Sequence, residues 1–190
     1  VYTKSTTFEP ALLRLIYFLF IKNLFAAPVA DFSISNSFPC TNQSVVFTNA
    51  SSGTITTYSW TFDASASPTT SSSSTSVNVL FSAAGDYNVT LTVSGPDGTH
   101  SATKLVKVST VAPVLSGSIT GSSSVCLNAT SLAYSITPVS SAGSYNWTVP
   151  AGGSVTSGQG TSSIIASFGT TPGNVCVTAT NGCGTGNQIC

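Results

Sequence analysis

Charge is scarce in this sequence. Only 5% of its 190 residues are Asp, Glu, Lys or Arg, and the formal net charge is +0, where an ordinary soluble domain carries about 25% charged residues. So sparse a charge gives no electrostatic hold on nucleic acid or on anionic lipid. Close carboxylate pairs for acid/base work are not in evidence either: Asp63, Asp86 and Asp97 fall in separate turn-like segments, where Asp bonds its own local backbone. The single histidine, His100, follows a Pro-Asp-Gly turn in a strand-like run, and nothing marks a serine as its nucleophilic partner. Gly158-Gln159-Gly160 precedes no helical pattern, so it is a turn and not a phosphate cradle. The expectation is a protein with no catalytic residue, no cofactor and no metal.

Long apolar runs are missing too. The longest, Leu15-Ile16-Tyr17-Phe18-Leu19-Phe20-Ile21, is well short of the ~20 residues a membrane-spanning helix needs. Lys4 and Arg14 precede it, Lys22 interrupts it, and Ala26-Ala27-Pro28-Val29-Ala30 follows. A basic start, a short apolar stretch and small residues read as an export signal over residues 1–30, with the fold beginning at Asp31. The alternative is a terminal helix. Methionine is absent; either the initiator is missing or Val1 renders an alternative start codon. The chain is expected to be cut from a longer one, since the second half still lacks its last strand where Cys190 falls.

What the sequence does have is β-branched and aromatic residues set among Ser, Thr, Asn and Gly. That mixture favours strands over disorder. Residues 79–93 are the clearest stretch. A turn is expected at Ala84-Gly85-Asp86, followed by strict alternation: Tyr87, Val89, Leu91 and Val93 on one face, Asn88, Thr90 and Thr92 on the other. Further strands are expected at residues 32–35, 44–49, 57–62, 76–81 and 99–108, with a Ser/Thr loop over 63–75. Tyr58, Trp60 and Phe62 share the inward face of a central strand. Short strands separated by turns at this spacing are the pattern of a β-sandwich. Residues 144–150, around Trp147, repeat the pattern of residues 58–62 at a distance of about 85 residues, which indicates tandem modules. Trp60 and Trp147 alternate with other core residues, so both are assigned to cores and not to sugar-stacking platforms.

Phe81, the turn and Tyr87-x-Val89-x-Leu91-x-Val93 together resemble the signature of PKD domains, immunoglobulin-like sandwiches of extracellular proteins. Trp60 and Phe62 match the family's W-D-F-G-D-G. Its acidic, glycine-rich turn is replaced by Asp63-Ala64-Ser65, which lowers the chance of a calcium site. Residues 158–164 and Asn181-Gly182-Cys183-Gly184 resemble the PKD-like modules of very large Bacteroidetes surface proteins, often exported by type IX secretion and including gliding adhesins. The resemblance implies an all-β chain of two tandem sandwiches: residues 31–110, a short stiff linker at 111–115 around Pro113, and residues 116–190, incomplete at the C-terminal end. It implies a non-enzymatic, cell-surface structural or adhesive segment, presenting loops to a protein or polysaccharide ligand. An accessory module of a secreted hydrolase, chitinase or protease, is the alternative.

Five cysteines stand at 40, 126, 176, 183 and 190. None has C-x-x-C spacing, and in an exported chain they read as disulfides. Four of them in the second module allow three pairings. Position and the resemblance together favour Cys126–Cys183, since PKD-like modules with Val-Cys near the start often carry Asn-x-Cys-Gly in the late turn. Cys176 and Cys190 would face each other across a hairpin through residues 182–186. Cys40 is left single. Asn42, Asn49, Asn88, Asn128 and Asn146 all fit N-x-Ser/Thr; in a chain this rich in those residues they are read as chance triplets, not glycosylation sites.

Overall fold

The structure is a computed structural model that describes residues 25–190; most of the proposed signal segment therefore lies outside the described residues. Among the described residues there are strands and no helix. Eight strands build module one: β1 (Phe32–Ile34), β2 (Val45–Asn49), β3 (Thr57–Thr61), β4 (Ala66–Ser67), β5 (Thr70–Ser71), β6 (Ser76–Phe81), β7 (Gly85–Gly95) and β8 (Gly98–Val108). Six build module two: β9 (Leu132–Ser135), β10 (Ser144–Thr148), β11 (Ser154–Ser157), β12 (Ser163–Ser167), β13 (Cys176–Asn181) and β14 (Gly184–Ile189).

Each module is two antiparallel sheets face to face. Module one stacks β1-β2-β6-β4 on β5-β3-β7-β8, and module two stacks β11-β12-β9 on β10-β13-β14. The second plan repeats the first, with β9, β10, β12, β13 and β14 standing where β2, β3, β6, β7 and β8 stand. The alternation read in residues 87–93 decides the register. Val89, Leu91 and Val93 are fully buried, while Thr90 and Thr92 meet Thr103 and Ser101 across the β7–β8 ladder, hydroxyl to hydroxyl at 2.8 Å in both cases. These hydroxyl pairs dress an outer face that most proteins would cover with charge.

Both cores are built around a tryptophan. Trp60 is edge-on to Phe32 at 5.2 Å and stacked on Phe62 at 6.1 Å. Its indole N–H donates to the Ser73 carbonyl at 2.9 Å. Trp147 packs in the second core with Tyr134, Ile164 and Val177, and its N–H donates to the Thr161 carbonyl at 2.8 Å. Each indole thus buries its ring without orphaning its donor. Gly158-Gln159-Gly160 also acquires a role: Gly158 and Gly160 have φ of 84° and 92°. The Gln159 side chain accepts from the Trp147 backbone N–H and donates to the Trp147 carbonyl, capping the β10 edge.

Three expectations are corrected. The turn before β7 comes earlier than Ala84-Gly85-Asp86, because Gly85 and Asp86 already pair with Val108 and Lys107. The Tyr87 ring folds back over Gly85, 3.0 Å from where a Cβ would stand, with the phenol donating to the Ala83 carbonyl. The loop over residues 63–75 contains β4 and β5, two-residue strands too short to leave a periodic signal. Finally, the fold reaches back before Asp31. Ala30 is buried in the first core, Val29 pairs with Ser52, and Thr54 N–H donates to the Ala26 carbonyl.

Candidate functional site: the stapled junction between the modules

After β1 the chain makes a tight loop over residues 36–43. The Asn36 carboxamide accepts from Phe38 N–H at 2.8 Å, and the Gln43 carboxamide accepts from Cys40 N–H at 3.0 Å. Asn42 takes φ of 59°, which Asn tolerates better than most residues, and Gln43 N–H closes the turn on the Cys40 carbonyl. Thr41 N–H donates to the Ser109 carbonyl and Ser109 N–H to the Pro39 carbonyl. Cys40 is thereby fixed beside the point where the chain leaves β8.

Module two brings the β13–β14 turn to this loop. Asn181 accepts from Cys183 N–H at 2.8 Å and donates from its side chain to the Val111 carbonyl at 3.0 Å. Gly182 N–H donates to the Phe38 carbonyl at 2.7 Å. Cys183 is bonded to Cys40, with Cα atoms 4.8 Å apart and 143 residues of separation. Its sulfur lies 3.3 Å from the Ser109 carbonyl. The approach excludes side chains. A Cβ on Gly182 would stand 2.3 Å from Gln43 Oε1 and 2.6 Å from Cys40 N, and one on Gly186 would stand 1.6 Å from the Pro113 carbonyl oxygen. The segment between the modules is tied down as well: Leu115 N–H donates to Asn187 Oδ1 and Asn187 Nδ2 donates to the Leu115 carbonyl, while Pro113 and Leu115 are buried. Beside the bridge lies a groove of 470 Å³ lined by residues that include Ile34, Asn36, Phe38, Ser144, Thr180 and Asn181. Its lining offers hydroxyl, amide and backbone groups and no titratable side chain, so it suits a neutral polar ligand.

Of the residues singled out in the sequence, Cys40, Pro113 and the Asn181-Gly182-Cys183 turn lie at this junction. Trp60, Phe62, Val89, Leu91, Val93 and Trp147 are interior to their modules. Tyr87 is half-buried, stacked on Phe81 at 5.0 Å. Cys176 is bonded to Cys190, closing the base of the β13–β14 hairpin. The expected Cys126–Cys183 bridge is not formed: Cys126 is unpaired and exposed, and Cys40 is not single. The reason is geometric. Val125 shares a hollow with Cys190, at the far end of β14 from Cys183. A six-residue strand spans about 20 Å, while a disulfide needs Cα atoms within about 7 Å.

Among the described residues the charges all fall in module one. Lys104 pairs with Asp31 at 2.7 Å, donates to the Phe32 carbonyl and sits over the Phe32 ring. The hydrogen bond from Lys104, helped by the Phe32 N–H, holds the Asp31 carboxyl below its ordinary range. Lys107 pairs with Asp86. His100 accepts at Nδ1 from Ala30 N–H at 2.9 Å, a structural role. Burial pushes the Tyr134 phenol up; it donates to the Ser122 carbonyl.

Residues 31–108 match the family described as PKD domain, and residues 112–189 match that described as PKD-like domain. No curated protein matches the chain. Among solved structures it is similar, at 20% identity and a TM-score of 0.40 over 82% of its length, to one described as carbohydrate-binding modules from the β-sandwich superfamily, of which it covers 54%. A titin Z1Z2 chimera (15% identity, TM-score 0.35, 87% of this chain and 94% of that one) and domains 5-6 of the S-layer protein SbsC (15%, 0.32, 85% and 96%) are similar at the same level. Likenesses this distant say nothing about function.

Proposed function

Because the chain is a PKD domain joined to a PKD-like domain, we propose that it works outside the cell as a non-enzymatic structural and adhesive segment of a large bacterial surface protein. Its sequence resemblance to Bacteroidetes surface modules makes export by type IX secretion part of this reading. The observation that carries the proposal is the Cys40–Cys183 bridge, which joins the two sandwich modules across their junction. A disulfide that only links two modules serves rigidity and reach, and it persists in an oxidising compartment. Both tryptophans are internal, so a polymer-stacking accessory of a hydrolase is the weaker reading; presented loops and the junction groove are where a protein or neutral glycan would be held. Surface proteolysis of intact source cells tests the assignment. It should release peptides from residues 31–190, and deleting the gene should impair attachment to surfaces while leaving secreted hydrolase activity unchanged. Loss of hydrolase activity together with unchanged attachment would overturn it.

A further inference from the structure

Cys126 occupies in module two the place that Cys40 occupies in module one, and the match extends through the local backbone. Both cysteines open a turn closed by the N–H three residues on: Gln43 to the Cys40 carbonyl at 3.1 Å, Ala129 to the Cys126 carbonyl at 3.2 Å. Both turns carry an asparagine at φ 59° two residues after the cysteine, Asn42 and Asn128. Each asparagine N–H then donates to the segment ending the equivalent strand, Asn42 to Phe81 at the end of β6 and Asn128 to Gly169 just past β12. Cys40 bridges to Ser109, the residue after β8; Val125 shares a hollow with Cys190, the residue after β14. The two cysteines thus mark the exit poles of their modules.

In module one that pole is covered and its cysteine is bonded to the β13–β14 turn of the module that follows. In module two it is bare. Pro39, before Cys40, is fully buried, whereas its counterpart Val125 is 38% exposed and Leu127 is 64% exposed. Cys126, Val125 and Leu127 border a hollow of 240 Å³ with Pro150, Phe168 and Pro172. From this repeated pole, occupied once and open once, we infer that Cys126 is the attachment point for a further domain of the module-two kind on the same polypeptide, bonded through the cysteine of that domain's Asn-x-Cys-Gly turn. The bridge forms by exchange with a disulfide oxidant such as oxidised glutathione: the Cys126 and turn thiols together lose two electrons and two protons as their S–S bond forms, and the oxidant's S–S bond breaks to give two glutathione thiols that carry those protons. Stapling has a direction. Module one presents Gly95-Pro96-Asp97-Gly98 at its β7–β8 turn, with no cysteine to receive a bridge, so the stapled run starts at module one and extends toward the C-terminus.

The inference rests on the spacer reading for its oxidising setting, and an in vitro test separates the two. The full chain is extended at its C-terminus by a second copy of residues 111–190, refolded in a glutathione buffer, alkylated and digested without reduction. The expected peptide joins Cys126 of the first copy to the Asn-x-Cys-Gly turn of the second, and the Cys126 of the appended copy is alkylated. In a second variant, Cys126→Ser in the first copy should leave the appended turn thiol fully alkylated while Cys40–Cys183 stays intact. Recovery of Cys40–Cys183 with both Cys126 thiols and the appended turn thiol alkylated would overturn the inference and leave the spacer reading standing. A Cys126–Cys126 peptide joining two chains would also overturn it.

Discussion

Hydroxyl groups do on this protein what charges do on most. The Thr90–Thr103 and Thr92–Ser101 pairs line the outer face of β7 and β8, while the alternate residues make the core. Leu91→Ala should therefore cost about 2–5 kcal/mol through lost burial and the cavity it leaves, and Thr90→Ala below about 1 kcal/mol. Chemical denaturation of the two variants checks this; equal losses would mean the register is wrong. Gly182 is the matching test at the junction. A methyl there meets the backbone of residues 39 and 40, so Gly182→Ala should weaken the Cys40–Cys183 bridge by about 1–3 kcal/mol. Titration with a dithiol at equilibrium reads the change, and an unchanged midpoint would contradict the close approach. Core residues such as Trp60 and Val89 were legible because burial imprints a period of two. Cys40 was misread because a bridge between modules leaves no period and no fixed spacing. The one available signal was the repeat of Cys-x-Asn at 40–42 and 126–128, which points to equivalence of place and not to a partner.

Elements long enough to alternate were legible: β6 stands at residues 76–81 as expected, β7 contains the alternating residues 87–93 though it starts earlier, at Gly85, and β10 lies within the repeat around Trp147. Elements set by contact alone were not. β4 and β5 are two residues each, and residues 26–30 join module one through one bridge at Val29–Ser52 and a few scattered bonds. That N-terminal strip makes two predictions. If residues before it are removed on export, mass spectrometry should place the new N-terminus at or before Ala26, because cleavage before Asp31 would discard buried Ala30 and the Val29–Ser52 pairing. Acid should loosen the same region. The Asp31 carboxyl is held below its ordinary value of 3.8 in the folded chain. Its contribution is thus complete above that value and fades as pH falls through it toward the lower folded value. Asp31→Asn should flatten the acid limb of a stability-against-pH curve, and an unchanged limb would show that the Lys104 tie contributes nothing.

At the scale of the molecule, the tandem repeat was legible and the junction was not, since each module satisfies its own core and nothing in either sequence alone declares how the two meet. The bridge constrains an unfolded loop long enough that chain entropy would assign it roughly 5 kcal/mol. Its mechanical consequence is larger. Tension applied at the ends enters through β1, crosses from Cys40 to Cys183 and leaves through β14, so the strands from β2 to β13, which carry most of both cores, lie outside the load path. The direct test is single-molecule stretching between handles at the two ends, with and without reductant. The oxidised chain should lengthen by no more than roughly 160 Å, from residues outside the bridge, and reduction should release roughly 500 Å more, the extended length of the 143-residue separation it spans. The same full lengthening in oxidised and reduced chains would contradict a stapled, load-sealed pair of sandwiches.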